Sequence, residues 1–221
     1  MSNLILENDM QALQELVVRG VAVVRQNFIQ SVSALHERND ALALKVQEAD
    51  SKIDDMEMAI DQAVLSVLYR QRPVAQDLRR AFTAAKIATD LERIGDSAVS
   101  LSRASIKLSQ LPETNLKTDT RRMAQIGLGM LDGVAQGLLK PDPALLQEII
   151  AQDKELDRLH HALIEEATKM AVADGSLAPQ AVQWVIVARS LERVGDHVKN
   201  IAEELIFLVR AVDVRHSHTP V

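Results

Sequence analysis

The chain has no cysteine, so disulfides, thiolate metal sites and cysteine nucleophiles are excluded, and any bound metal must use oxygen and imidazole ligands. Aromatic residues are nearly absent: Phe28, Phe82, Phe207, Tyr69 and Trp184 are all there are in 221 residues. Glycine and proline are also few, at eight and six. A core left to Leu, Ile, Val, Ala and Met fits packed helices far better than sheets, which favour aromatic and β-branched residues. The expected fold class is all-α.

Charges interrupt every apolar stretch, so none approaches the roughly 18 residues of a transmembrane helix. Met1-Ser2-Asn3-Leu4 also lacks the basic region and long apolar stretch of a signal peptide. A cytoplasmic protein is expected, with membrane contact only through a partner. Excess positive charge is missing too: 31 acidic residues against 25 basic ones give a net charge of −6. That argues against a nucleic-acid surface, which needs clustered Lys and Arg, and favours cationic ligands. There is no Gly-x-x-x-x-Gly-Lys loop for nucleotide phosphates.

What is present is helical periodicity. Met10, Leu13, Val17, Val21, Val24, Phe28, Val32 and Leu35 form one stripe over residues 8 to 37. Asn39 and Asp40 open a second helix to about Arg70, ended by the Arg72-Pro73 step, and Pro73 suits the start of a third to about Gln110. Leu111-Pro112-Glu113-Thr114-Asn115 is the linker candidate, dividing the chain into 1–112 and 113–221. A fourth helix over about 117–138, a fifth opened by Asp142-Pro143 and ended by Ala173-Asp174-Gly175-Ser176, and a sixth over about 179–213 repeat the plan, with fraying from Arg215. Long helices with one apolar stripe each cannot bury themselves alone, so the expected architecture is two tandem antiparallel three-helix bundles, side by side.

An internal repeat supports that duplication. Leu91-Glu92-Arg93-Ile94-Gly95-Asp96 returns one hundred residues later as Leu191-Glu192-Arg193-Val194-Gly195-Asp196. Glu and Asp four residues apart share a helix face, and the glycine between them costs about 1 kcal/mol relative to alanine. A second duplicated pair is Asp50 and Asp54 in helix two, matched by Asp153 and Asp157 in helix five. In an antiparallel bundle Asp50, Asp54, Glu92 and Asp96 converge, as do Asp153, Asp157, Glu192 and Asp196. Such carboxylates, well inside their helices, are not explained by the helix dipole, and they call for positive charge. Hard cations take oxygen, and iron and zinc also accept imidazole, so His160, His161, His197 and Asn200 are further candidate ligands. Multinuclear iron or zinc is expected there, with magnesium and manganese as alternatives.

Each feature has a plainer reading: a solvated acidic face, glycines that let helices pack closely, and, for Arg93 and Arg193, which could otherwise neutralise the acids or bind phosphate, ordinary surface salt bridges. The halves also differ. Where the second has His197, Asn200, Glu203 and Glu204, the first has Ser97, Ser100, Arg103 and Ala104. A cationic Arg103 in place of a carboxylate makes the second site the expected tighter one.

The two Glu-Arg-[Ile/Val]-Gly-Asp units come with Arg72-Pro73-Val74-Ala75-Gln76-Asp77-Leu78-Arg79, Ala88-Thr89-Asp90-Leu91 and Gly195-Asp196-His197-Val198-Lys199-Asn200-Ile201-Ala202-Glu203. On these stretches the chain closely resembles the PhoU family of phosphate-uptake regulators over nearly its whole length. The resemblance implies a duplicated three-helix bundle, a cytoplasmic and often dimeric protein, and acid-x-x-x-Asp motifs holding iron or zinc clusters. It implies a non-enzymatic adaptor that restrains phosphate uptake and starvation signalling by linking a phosphate ABC transporter, through its ATPase, with a sensor histidine kinase. Two other functions compete. A carboxylate-bridged metalloenzyme would want repeated acid-x-x-His motifs, of which only Asp157-Arg158-Leu159-His160 is present. A purely structural helical scaffold would need no metal.

Overall fold

Side-chain caps and proline steps cut the chain into antiparallel helices. In the computed structural model, which describes residues 2–114, 116 and 118–212, the first bundle comprises α1 (Ser2–Glu37), α2 (Asp40–Glu48), α3 (Asp50–Gln71) and α4 (Ala75–Ser109). The second comprises α5 (Thr120–Leu139), α6 (Pro143–Ala173) and α7 (Ala178–Arg210), with a 3-10 turn at Gly175–Leu177. There is no strand among the described residues.

The caps at Asn39 and Asp142 are those the sequence advertises, and Asp119 adds one that it did not single out. Asn39 accepts from the Leu42 N–H, Asp119 from Arg122 and Asp142 from Ala144, the last with Pro143 opening α6. Proline at position 73 disfavours helical geometry at Arg72, which ends α3 in a left-handed conformation (φ 47°), and α4 begins at Ala75. Arg38, also left-handed (φ 51°), ends α1 and turns its guanidinium onto the carbonyls of Leu108 and Ser109, at 3.0 and 2.8 Å. Those carbonyls belong to the last turn of α4, where Leu108 also accepts from the Leu111 N–H at 3.1 Å.

The second expected helix is in fact two. At Ala49 (φ −76°, ψ −12°) the chain tightens, and the Lys52 N–H returns to the Ala49 carbonyl, three residues back. Asp50 therefore opens α3, where a carboxylate complements the helix N-terminus, so the argument that all the acids lie too deep for the dipole fails for Asp50. Lys117, Asn115 and the stretch from 213 onward, where a helix start, the linker's last residue and fraying were expected, fall outside the described residues.

The apolar stripes meet in one continuous core. Met10, Leu13, Val17, Val21, Val24 and Phe28 of α1 are all buried, together with Ile87, Leu91 and Ile94 of α4 and Val187, Leu191 and Val194 of α7. The two bundles pack through α4 on α7, the most extensive helix contact, and α1 on α5. Polar contacts cross this seam: Arg25 to Asp132 at 2.6 Å and Lys86 to Glu204 at 2.9 Å. No helix among the described residues is long and apolar enough to cross a membrane.

Candidate functional site

The two glycines of the repeat set the spacing between helices. A Cβ at Gly95 would lie 2.8 Å from Ile53 Cδ1 of α3, and one at Gly195 only 2.2 Å from Leu156 Cδ2 of α6. Both distances are below any normal carbon contact, so glycine is what lets α4 approach α3 and α7 approach α6. The plain packing reading of these glycines holds, and its consequence is to bring the acidic pairs of neighbouring helices together.

In the first half the four carboxylates share one field. Asp50 is raised above the ordinary carboxylate range by burial and by Asp54 and Asp96, with Arg103 pulling the other way. Glu92 is raised by burial and by Asp96, Glu57 and Asp54, against Arg93. Asp54 and Asp96 are exposed and Asp50 and Glu92 half-buried. Glu57 is a fifth member that sequence reasoning missed, although its place three residues beyond Asp54 puts it on the same face.

The second quartet is tighter and more buried. Asp153 is 3% exposed, and Asp157, Glu192 and Asp196 are partly covered. Burial, the Asp196 carboxylate at hydrogen-bond range and the charges of Asp157 and Asp153 push Glu192 up to about 7. Burial first, and the neighbouring negative charges after it, thus keep this carboxyl about half protonated at neutral pH. One cation is built in. Lys199 Nζ donates to Asp153 Oδ2 at 2.5 Å, leaving Asp153 Oδ1 buried without a hydrogen-bond partner. Burial lowers the Lys199 ammonium, but its bond to Asp153 and the nearby charges of Asp153, Asp196 and Glu203 outweigh this and leave it raised. Lys199 was missed as well; its position three residues beyond Asp196 was the available signal.

The four auxiliary ligands divide. His160 stays with the quartet: both ring nitrogens are buried without partners, and its pKa is lowered by burial and by His161, against Asp157, in the field of Arg189 and Asp196. His161 is exposed, with Nδ1 2.7 Å from the Asp157 backbone oxygen and its ring edge-on to His160. His197 and Asn200 turn away to the other bundle, where Nδ1 and Nδ2 lie 3.0 and 3.2 Å from Asp90 Oδ1. Their side chains tie the α4–α7 seam. Neither Arg93 nor Arg193 makes an ion pair among the described residues, so the expected surface salt bridges are not what these arginines form.

The donor chemistry of the second quartet suits a cation: an orphaned carboxylate oxygen, a neutral imidazole and a half-protonated glutamate that a positive charge would ionise. The side chains are not gathered around one, since no three His, Asp or Glu among the described residues stand in ligating positions.

A duplicated three-helix bundle with an acidic quartet between the second and third helix of each copy defines the class of protein. The PhoU domain model matches residues 17–105 and again 120–205, and the chain belongs to this family. It is 33% identical over 195 residues to the phosphate-specific transport system accessory protein PhoU homolog of Pseudomonas putida, covering 88% of this chain and 76% of that one. To the phosphate-specific transport system accessory protein PhoU of Escherichia coli K12 it is 26% identical over 208 residues, covering 94% and 86%. The crystal structure of PhoU from Pseudomonas aeruginosa superposes with a TM-score of 0.89 at 29% identity, over 93% of this chain and 99% of the other. PhoU from Streptococcus pneumoniae, at 22% identity, shares the fold with a TM-score of 0.87 over 95% and 99%.

Proposed function

We propose that this protein is a non-enzymatic accessory of a phosphate-specific transport system, which restrains phosphate uptake and phosphate-starvation signalling by docking on the transporter's ATPase and on a sensor histidine kinase. The observation that carries the reading is the double PhoU match, one per bundle, together with relatives named as phosphate-transport accessory proteins. The adaptor works in the cytoplasm as a homodimer, with 1–112 and 113–221 as its repeats, and meets the membrane only through its partners.

Metal is part of the same reading. Asp153, Asp157, Glu192 and Asp196, with His160, would hold an iron, zinc or manganese ion in the second half, and Asp50, Asp54, Glu92 and Asp96 one in the first. Such an ion supplies positive charge. The chain's own residues position it: Gly195 draws α7 onto α6, and Lys199 holds Asp153 in its place until a stronger cation competes.

The reading is tested by deleting the gene and following a phosphate-responsive reporter and phosphate uptake, alongside affinity purification from phosphate-replete cells. Derepressed reporter and uptake, with the transporter ATPase and kinase co-purifying, are the expected outcome. Unchanged reporter and uptake would overturn it.

A further inference from the structure

We infer that the α4–α7 seam is a binding site for inorganic phosphate, recognised by arginines from both repeats and by carboxylates that accept a hydrogen bond from the P–OH which phosphate keeps at neutral pH. A cavity of about 560 Å³ opens on this seam, lined by Arg93 and Arg103 of α4 and Arg193 of α7, with Ser97 and Ser100 beside them. An adjoining hollow of about 200 Å³ shares Arg193, Ser97 and Ser100 and adds Arg189 and Ser190. Four guanidinium groups thus border one groove in a chain of net charge −6, and none of them forms an ion pair among the described residues.

Arginine presents a planar fork of N–H donors that matches two oxygens of a tetrahedral anion, and hydroxyls complete such a shell. The groove is open and its four arginines are exposed, so recognition rests on several charge-assisted bonds converging on one anion.

The same cavity carries two carboxylates, Asp96 and Asp196, and these choose between anions. An ionised carboxylate can only accept hydrogen bonds. Inorganic phosphate near neutral pH retains a proton to donate; sulfate and the fully ionised phosphate of a monoester do not. Against those two, the aspartates present repulsion with no compensating bond, and the one ring that lines the cavity, the His197 imidazole, is engaged with Asp90 across the seam. Three guanidinium groups face the two aspartates in the larger cavity and Arg189 stands in the adjoining hollow, so the lining is cationic, while the aspartates narrow the choice to phosphate.

Arg93 and Arg193 are the matching arginines of the two repeats, so one ligand bound by both clamps the two bundles together. This ligand claim deepens the regulatory reading but is separable from it, since docking is read by reporter and co-purification and phosphate by direct binding. Equilibrium dialysis of the full chain with radiolabelled inorganic phosphate at pH 7.5, after metal removal by chelation, tests it. One phosphate per chain should bind with a dissociation constant of about 1 mM or tighter. Sulfate and AMP should compete at least about tenfold more weakly, a difference of about 1.4 kcal/mol. Arg93→Gln and Arg193→Gln should each weaken binding about tenfold or more with an unchanged thermal midpoint in phosphate-free buffer, whereas Arg158→Gln on the far side of α6 should leave it intact. Phosphate failing to saturate the wild-type chain, sulfate or AMP competing equally, or correctly folded arginine variants binding as wild type would each overturn the proposal.

Discussion

In the first half, Arg103 reaches the acidic quartet only through its field on Asp50, and two of the four acids are exposed. In the second, Lys199 donates directly to a buried Asp153, the other three acids are partly covered, and Glu192 is still pushed up to about 7. The residue matching Lys199 in the first half is Val99, itself buried. Burial, more than the count of charges, separates the halves. Aligning the repeats sets Arg103 against Glu203 and puts a cation beside the first site alone; in the structure Arg103 and Arg93 act on the first quartet from outside, and Lys199 sits within the second. What distinguishes the second is that its negative charge exceeds what its own lysine balances, and a bound cation gains most where charge is desolvated.

The comparison breaks most visibly at Lys199. Lys199→Met strands a carboxylate that is only 4% exposed, while the lysine itself is about one-third exposed. A loss of about 2 kcal/mol is expected, below the usual cost of breaking a fully buried pair. Added zinc or manganese should restore much of it in thermal melts, and a variant as stable as wild type without metal would show that Asp153 needs no counter-charge.

Next come the glycines. Gly195→Ala forces its methyl into Leu156, which is fully buried and has nowhere to turn, so about 1–2 kcal/mol should be lost after the helix-propensity gain is counted. Gly95→Ala meets Ile53 less closely, at 2.8 Å from Cδ1 and 3.1 Å from Cγ2, and should cost less than Gly195→Ala. Equal melting temperatures for the two variants would show that the bundles are equally tightly packed.

Much of this architecture was legible beforehand. Helix ends follow from Asn39, Asp142-Pro143 and Arg72-Pro73 because caps and proline act locally. The convergence of the quartets follows from spacing along a helix and antiparallel packing. The break at Ala49 carried no such mark, since Ala-Asp-Ser neither forbids nor demands a helix. His197 and Asn200 were assigned to the quartet because they lie near it in sequence; that they face Asp90 depends on how the two bundles are rotated against each other, which no local pattern encodes.

The smallest expected effect is on pH dependence. Glu192 holds its proton more tightly folded than unfolded, so folding binds protons between the ordinary glutamate value of 4.5 and about 7, and stability falls as pH rises through that window. Glu192→Gln removes this penalty. It should be more stable than wild type by about 1 kcal/mol at pH 8, a few degrees in the melt, with no gain at pH 4.5; partial solvation of the group keeps the effect this small. A gain that persists at pH 4.5 would have another cause.

The inequality of the two quartets is tested most directly by titrating metal-free wild type, Glu92→Ala and Glu192→Ala with zinc in a calorimeter. Glu192→Ala should weaken the tighter binding step about tenfold or more while Glu92→Ala leaves that step unchanged. Equal losses from the two variants, or no saturable step in wild type, would contradict the account.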